Sequence, residues 1–144
     1  MKLLILNGPN LNLLGSREPA IYGSESYDAL CQQIQRHAAA IGCTVTLLQS
    51  NHEGALIDAI QEAQGVYSGI VINPGAYAHY SYAIYDALRA VDVPAVEVHI
   101  SDITAREPFR AVSVTAPACV KTIYGHGLRG YLEAMDYLRE TMRP

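Results

Sequence analysis

Short, unbroken apolar runs alternate along this chain with segments whose apolar residues recur every three to four positions. Leu3-Leu4-Ile5-Leu6 is the first run, ended by the breaker cluster Asn7-Gly8-Pro9-Asn10. A strand apolar at every position is one buried on both faces, as in a parallel sheet. Residues 11–23, with Gly15, Pro19 and Gly23, form a connection long enough to be functional or mobile in a compact domain. Ser24 or Ser26 then offers an N-cap. Tyr27, Leu30, Cys31, Ile34, Ala38 and Ile41 follow at helical spacing until Gly42 stops the helix. Thr44 to Leu48 is a β-branched and apolar second strand, ending at Gln49-Ser50-Asn51. The next helix carries Leu56, Ile57, Ile60 and Ala63 on one face. Asn51 is its predicted N-cap, and Glu53 complements its dipole. Gly69 to Ile72 is a third strand closed by Asn73-Pro74-Gly75, and a helix around residues 80–90 carries Ile84 and Leu88. Pro94 introduces a fourth strand, Ala95 to Ile100, and a polar loop runs from Ser101 to about Ser113. A short fifth strand, Val120 to Tyr124, precedes a last helix bearing Leu128, Tyr131, Leu132, Met135, Leu138 and Met142.

This alternation predicts an α/β fold with helices on both faces of a parallel sheet and right-handed crossovers. Five strands in so short a chain suit a flavodoxin-like three-layer α/β/α sandwich of strand order 2-1-3-4-5. No linker, repeat or low-complexity segment divides the chain, so a single domain over residues 1–144 is expected. The composition agrees. Half of the residues are apolar and 17% are charged, with a net charge of −4. That balance argues against a protein that grips nucleic acid or anionic membrane. No apolar run approaches the roughly 18 residues of a membrane span, and no signal-peptide pattern opens the chain, so a cytoplasmic location is expected. Cys31, Cys43 and Cys119 include no C-x-x-C pair, so neither a disulfide framework nor a zinc site is predicted. The histidines show no metal-ligand spacing.

In open parallel sheets, ligands bind beyond the carboxyl ends of the strands, and the chemistry-bearing residues collect there. Asn10, Arg17 and Tyr22 follow the first strand. Ser50, Asn51, His52 and Glu53 follow the second, and Asn73, Tyr77 and His79 the third. The fourth runs out into His99, Ser101, Arg106 and Arg110. Turns prefer Asn and Gly for their own geometry, but turn formation does not require His, Arg and Tyr together. His99 has the proton affinity of a general acid at neutral pH, although a satisfied histidine at a core edge is the plainer alternative. Glu97, two residues earlier on the same side of the strand, is placed to fix its tautomer. A free phenol is a poor base at neutral pH, but a guanidinium brought beside it lowers its pKa, so Arg17 could make a base of Tyr22. His37 reads as solvated, and His126 has no assigned role.

Four blocks of the chain resemble the type II 3-dehydroquinate dehydratases. They are Asn7-Gly8-Pro9-Asn10-Leu11-Asn12-Leu13-Leu14-Gly15-Ser16-Arg17-Glu18-Pro19 with Ile21-Tyr22-Gly23, then Gln49-Ser50-Asn51-His52-Glu53-Gly54, then Ile72-Asn73-Pro74-Gly75-Ala76-Tyr77, and finally Glu97-Val98-His99-Ile100-Ser101 with Ala105-Arg106-Glu107-Pro108-Phe109-Arg110. The resemblance implies a lyase that removes water from 3-dehydroquinate to give 3-dehydroshikimate in the shikimate route. It implies a flavodoxin-like subunit, a homododecamer built from trimers, and neither cofactor nor metal. By position it makes Tyr22 the base, Arg17 its activator and His99 the general acid. It has Asn10 hold the enolate through water, and makes Asn73, His79, Asp86, Ile100, Ser101 and Arg110 substrate-binding. If His79 and Asp86 are both helical, they share a face at two turns. Two features differ from the expected pattern. Asp102 places a carboxylate where Asn is expected, which would oppose an anionic substrate unless Arg106 or another cation neutralises it. The segment from Ala78 to Tyr85 is rich in tyrosine, for which a subunit contact is one use.

The chain has only two lysines, Lys2 and Lys121. Each begins a strand, the wrong end of the sheet for the site, so an imine mechanism has no nucleophile. A flavin-binding electron carrier would need a hydroxyl-rich loop after the first strand, where Asn7-Gly8-Pro9-Asn10 stands. A phospho-accepting signalling module would need clustered acids there and an Asp closing the third strand, where Asn73 stands. An inactive scaffold is the third alternative.

Overall fold

In a computed structural model of the chain, residues 1–16, 18–22 and 24–142 are described, with the Tyr22 side chain outside the description. The strands are β1 (Lys2–Asn7), β2 (Thr44–Gln49), β3 (Gly69–Asn73), β4 (Ala95–His99) and β5 (Lys121–Tyr124). All pair in parallel in the order β2-β1-β3-β4-β5, the order expected from the sequence. The helices are α1 (Pro19–Tyr22), α2 (Tyr27–Ala40), α3 (Glu53–Glu62), α4 (Tyr82–Ala90) and α5 (Arg129–Thr141).

The unbroken apolar runs are the three inner strands. β3 and β4 are buried at every residue, as is β1 after Lys2, whereas the edge strand β2 alternates between exposed and half-buried positions. Successive side chains of a strand point to opposite faces. Leu3, Ile5, Val71, Val96 and Val98 therefore pack with Leu30, Ile34, Tyr131, Met135 and Leu138 of α2 and α5. Leu4, Leu6, Ile70 and Ile72 pack with Leu56, Ile60, Ile84 and Leu88 of α3 and α4. Two cores on one sheet make the three-layer sandwich.

The helix ends follow local chemistry, with some departures from expectation. Of the two serines offered, Ser26 caps α2 through the Ala29 N–H, and Gly42 takes the left-handed conformation just beyond that helix. Asn51 is not the cap of α3. His52 holds that position without a side-chain bond, and Asn51 Oδ1 accepts instead from Asn10 N–H (3.0 Å) and Gln49 Nε2 (3.2 Å). An acceptor wanted by another loop cannot also cap its own helix. His37 is not merely solvated either, because its Nε2 lies 2.6 Å from Asp136 and ties α2 to α5. His126 pairs at 2.6 Å with Glu133. Within the connection over 11–23, the described residues include a 3-10 turn at Leu11–Leu13 and α1. The helix expected around residues 80–90 is α4, and a separate 3-10 turn at Gly75–His79 precedes it. Ser81 caps α4 through the Ile84 N–H, so His79 and Asp86 do not share a helix. β4 ends one residue earlier than expected, at His99, and β5 begins one later, at Lys121.

Candidate active site

Two tight turns at the carboxyl ends of the central strands, Asn7-Gly8-Pro9 and Asn73-Pro74-Gly75, lie back to back and form the floor of a cleft. The Gly8 N–H donates to the Asn73 carbonyl at 2.8 Å. A Cβ on Gly8 would stand 2.4 Å from the Pro74 carbonyl oxygen. Only glycine permits that approach, since backbone cannot yield as a side-chain tip can. Gly8→Ala is therefore expected to cost about 1–3 kcal/mol by overpacking, read as a lower Tm in thermal unfolding. An unchanged Tm would show that the two turns are free to separate.

Beneath the floor, Tyr131 of α5 is wholly buried and its hydroxyl joins the two turns. It donates to Asn7 Oδ1 (2.5 Å) and accepts from Asn73 Nδ2 (2.9 Å). Asn73 Oδ1 accepts the Gly75 N–H at 3.1 Å. Burial pushes the Tyr131 phenol well above its ordinary range, with the Asn73 bond only partly offsetting it, so the hydroxyl stays protonated and can donate. Among the described residues, none accepts a hydrogen bond from the buried Asn7 Nδ2.

Pro9, Asn10, Leu11, Asn73, Gly75, Ala76, His79, His99, Ile100, Ser101, Ile103, Arg106 and Arg110 line the cleft, which encloses about 470 Å³ with its open mouth included. Eight residues singled out in the sequence (Asn10, Asn73, His79, His99, Ile100, Ser101, Arg106 and Arg110) thus meet in one place, although they come from the ends of three strands and the loop that follows β4. Asn10 adopts the left-handed conformation (φ 69°) and is fixed there by Asn51. Asp86, exposed on α4, is not among the residues lining this cleft. Arg17 and the Tyr22 side chain lie outside the described residues, so their meeting is an expectation. The backbone of Tyr22 ends α1.

The two histidines are held by different partners. His99 is 5% exposed, and its Nε2 lies 2.8 Å from Oε2 of the fully buried Glu97. Burial alone would raise the Glu97 pKa. Hydrogen bonds and charge from His99, with further bonds from Ser113 and Thr115, outweigh it and hold the carboxyl below its usual range. An ionised carboxylate can only accept, so His99 Nε2 carries a proton and Nδ1 is the ring nitrogen left for exchange. His79 donates from Nδ1 to the Val112 carbonyl (2.9 Å), leaving Nε2 as an acceptor. The two rings stack with centres 6.4 Å apart.

The outer wall is cationic. Arg110 Nε lies 2.8 Å from Glu107 Oε2, close enough for an ion pair though not aligned as a hydrogen bond. Its guanidinium sits 5.0 Å from the Phe109 ring centre. Arg106 reaches Glu107 (3.9 Å) and Glu18 (3.8 Å), so it links this wall to the 11–23 connection. The backbone N–H of Glu107, together with Arg110 and Arg106, lowers the pKa of its carboxyl. Asp102 does not stand open to the cleft. Its Oδ1 accepts from the Thr104 N–H (3.0 Å) and hydroxyl (2.6 Å), capping the 3-10 turn Ile103–Ala105. Ser113 and Thr115 were not anticipated from the sequence, and neither was the Tyr131 link. Hydroxyls two residues apart beyond the polar loop were the only available signal for the first pair. Tyr131 reads simply as a core position of the last helix.

Both lysines sit at the opposite end of the sheet, at the starts of β1 and β5, each over a ring. Lys2 Nζ is 5.0 Å from the Tyr67 centre, and Lys121 Nζ is 4.9 Å from that of Tyr137. No helix among the described residues is long and apolar enough to cross a membrane.

Comparison with known proteins agrees with this geometry. The family described as dehydroquinase class II matches residues 1–139. The chain is 55% identical over 138 residues to a 3-dehydroquinate dehydratase of Lachnospira eligens, covering 94% of each. It is 54% identical over 142 residues to that of Caldicellulosiruptor bescii, covering 98% of each. The crystal structure of a type II dehydroquinase from Butyrivibrio crossotus superposes with a TM-score of 0.95 at 54% identity, over 96% of this chain and 97% of that one. With this sheet order, this cleft and matches that run almost end to end, the chain belongs to the class II dehydroquinase family.

Proposed function

We propose that this chain is a 3-dehydroquinate dehydratase, a hydro-lyase that converts 3-dehydroquinate to 3-dehydroshikimate and water. The observation that carries the reading is His99 seated on a buried, ionised Glu97 at the floor of a cleft rimmed by Arg106 and Arg110. The substrate is a small hydroxylated carboxylate with an acidic hydrogen next to a ketone. Its dehydration needs a base, a donor for the enolate, an acid for the departing hydroxyl and a holder for the carboxylate.

Tyr22, made acidic by Arg17, takes the proton from carbon, and Asn10 steadies the enolate oxygen through water. His99 then gives its Nδ1 proton to the leaving hydroxyl, which departs as water. Ser101 and the Ile100 amide receive the carboxylate, Arg110 the ring hydroxyls, and Asn73 and His79 the remaining polar atoms. The step needs neither an imine, a metal nor a cofactor. One domain, residues 1–144, carries this chemistry in the cytoplasm, and the connection over residues 11–23 brings Arg17 and Tyr22 to the cleft. The assembly is a homododecamer built as four trimers. There Asp86, which does not line the cleft of its own chain, meets substrate bound to a neighbouring copy, and the exposed Tyr80 and Tyr82 lie at a subunit contact.

The test is the ultraviolet absorbance of the conjugated enone when purified protein meets 3-dehydroquinate. Steady enone formation is expected, and protein exposed to borohydride during turnover, then freed of the reagent, should carry no added mass and form enone at an unchanged rate. No enone would overturn the reaction, and a borohydride-trapped adduct would overturn the imine-free route.

A further inference from the structure

Glu97 divides its carboxylate three ways. Oε2 accepts from His99 Nε2–H (2.8 Å) and from the Ser113 hydroxyl (2.6 Å), while Oε1 accepts from the Thr115 hydroxyl. The segment bearing those hydroxyls is pinned beside the site, because the Val114 N–H donates to the Ala78 carbonyl at 2.7 Å. The same segment offers the Val112 carbonyl to His79. One short stretch of chain therefore serves both stacked rings and treats them differently. His79 receives a neutral carbonyl, whereas His99 receives a carboxylate whose charge is already shared. An undivided carboxylate would draw the imidazole proton strongly. Hydroxyl donors that take up part of its charge weaken that pull.

We propose that Ser113 and Thr115 are positioning residues of the reaction, whose hydroxyls share the Glu97 carboxylate with His99 so that the ring is held through its Nε2 proton yet can deliver the proton on Nδ1. The proposal rests on the reading of His99 as the general acid.

Several other groups face the pair among the described residues. His79 stacks on His99 from the 75–79 turn, and Arg106 and Arg110 stand on the outer wall with Glu107 between them. Tyr124 occupies the paired position on β5, whereas Asp86 and Arg89 of α4 are exposed and are not among the residues lining the cleft. Cys119 follows the 116–118 turn, and burial and the Glu97 charge push its thiol up, so it stays neutral. None of these is altered by removing the two hydroxyls.

The sign follows from charge. Without its hydroxyl partners, the anionic form of the Glu97–His99 pair loses more stabilisation than the form bearing an added imidazole proton. The added proton is then taken up at higher pH and released less readily.

The experiment compares the parent protein with a Ser113→Ala/Thr115→Val double variant, using NMR titration of the histidine rings and the pH profile of kcat. The His99 midpoint and the alkaline limb of kcat should both rise by about one pH unit, with kcat a few-fold lower at neutral pH. His37 and His126 should be unmoved. Restoring the hydroxyl with Ser113→Ala/Thr115→Ser should recover part of the parent profile, which a purely structural role would not require. If the double variant does not fold, Ser113→Ala alone, at a half-buried position, should shift both readouts the same way by less. An unmoved His99 midpoint in a folded variant overturns the proposal. A raised midpoint with an unmoved kcat limb keeps the charge sharing and overturns His99 as the acid.

Discussion

Glu97→Gln should lower kcat by about 100- to 10,000-fold, the usual worth of a positioned proton donor. The carboxylate is fully buried and takes three hydrogen bonds, from His99, Ser113 and Thr115. A neutral amide of the same shape keeps the packing but withdraws the charge that keeps the His99 proton on Nε2. It also offers an N–H toward donors that want an acceptor. Stability should fall by about 1–3 kcal/mol, the cost of leaving buried polar groups unmatched, and that loss should depend on pH. The folded-state pKa of Glu97 lies below its ordinary value of 4.5. Its contribution is therefore complete above about pH 4.5 and fades as pH falls through the folded-state value. Thermal unfolding of the two proteins should show the widest Tm gap near neutral pH and a narrowing gap in acid. A gap that stays constant into acid would mean Glu97 is not ionised in the folded protein, and an undiminished kcat would detach it from the reaction.

Tyr22→Phe should abolish nearly all turnover, with a loss of kcat of about 100- to 10,000-fold, while substrate affinity stays within a few-fold. The substitution deletes one proton acceptor and keeps the ring. Steady-state rates paired with calorimetric binding of a non-reacting product analogue separate the two effects. A variant with near-normal kcat would move the base to another residue. An equal loss of affinity and rate would make the phenol a binding group.

The layout of the sheet was legible because each element carried its own period. Leu3–Leu6 and Gly69–Ile72 are apolar at every position because both faces are covered. Leu30, Ile34 and Ala38 recur at helical spacing because one face of α2 is covered. The cleft was legible in part for a topological reason, since parallel strands put all their carboxyl ends together. Residues just beyond those ends, such as His79, His99 and Ser101, could be named without knowing their partners. Partnerships between distant segments left no such mark. Asn51 looks like a helix cap because the residue type suits one, yet it serves Asn10, 41 residues away in sequence. His37 looks solvated on its own helix, and only the packing of α2 on α5 supplies Asp136. Ser113 and Thr115 find Glu97 through the return of the chain after the Arg110 turn, which no local pattern records.

The placing of the two lysines carries a practical corollary. Both side-chain amines emerge where the sheet begins, beyond the amino ends of β1 and β5, while the cleft opens where it ends. Coupling through lysine to an activated bead or dye would anchor the subunit by its rear edge and leave the mouth facing solution.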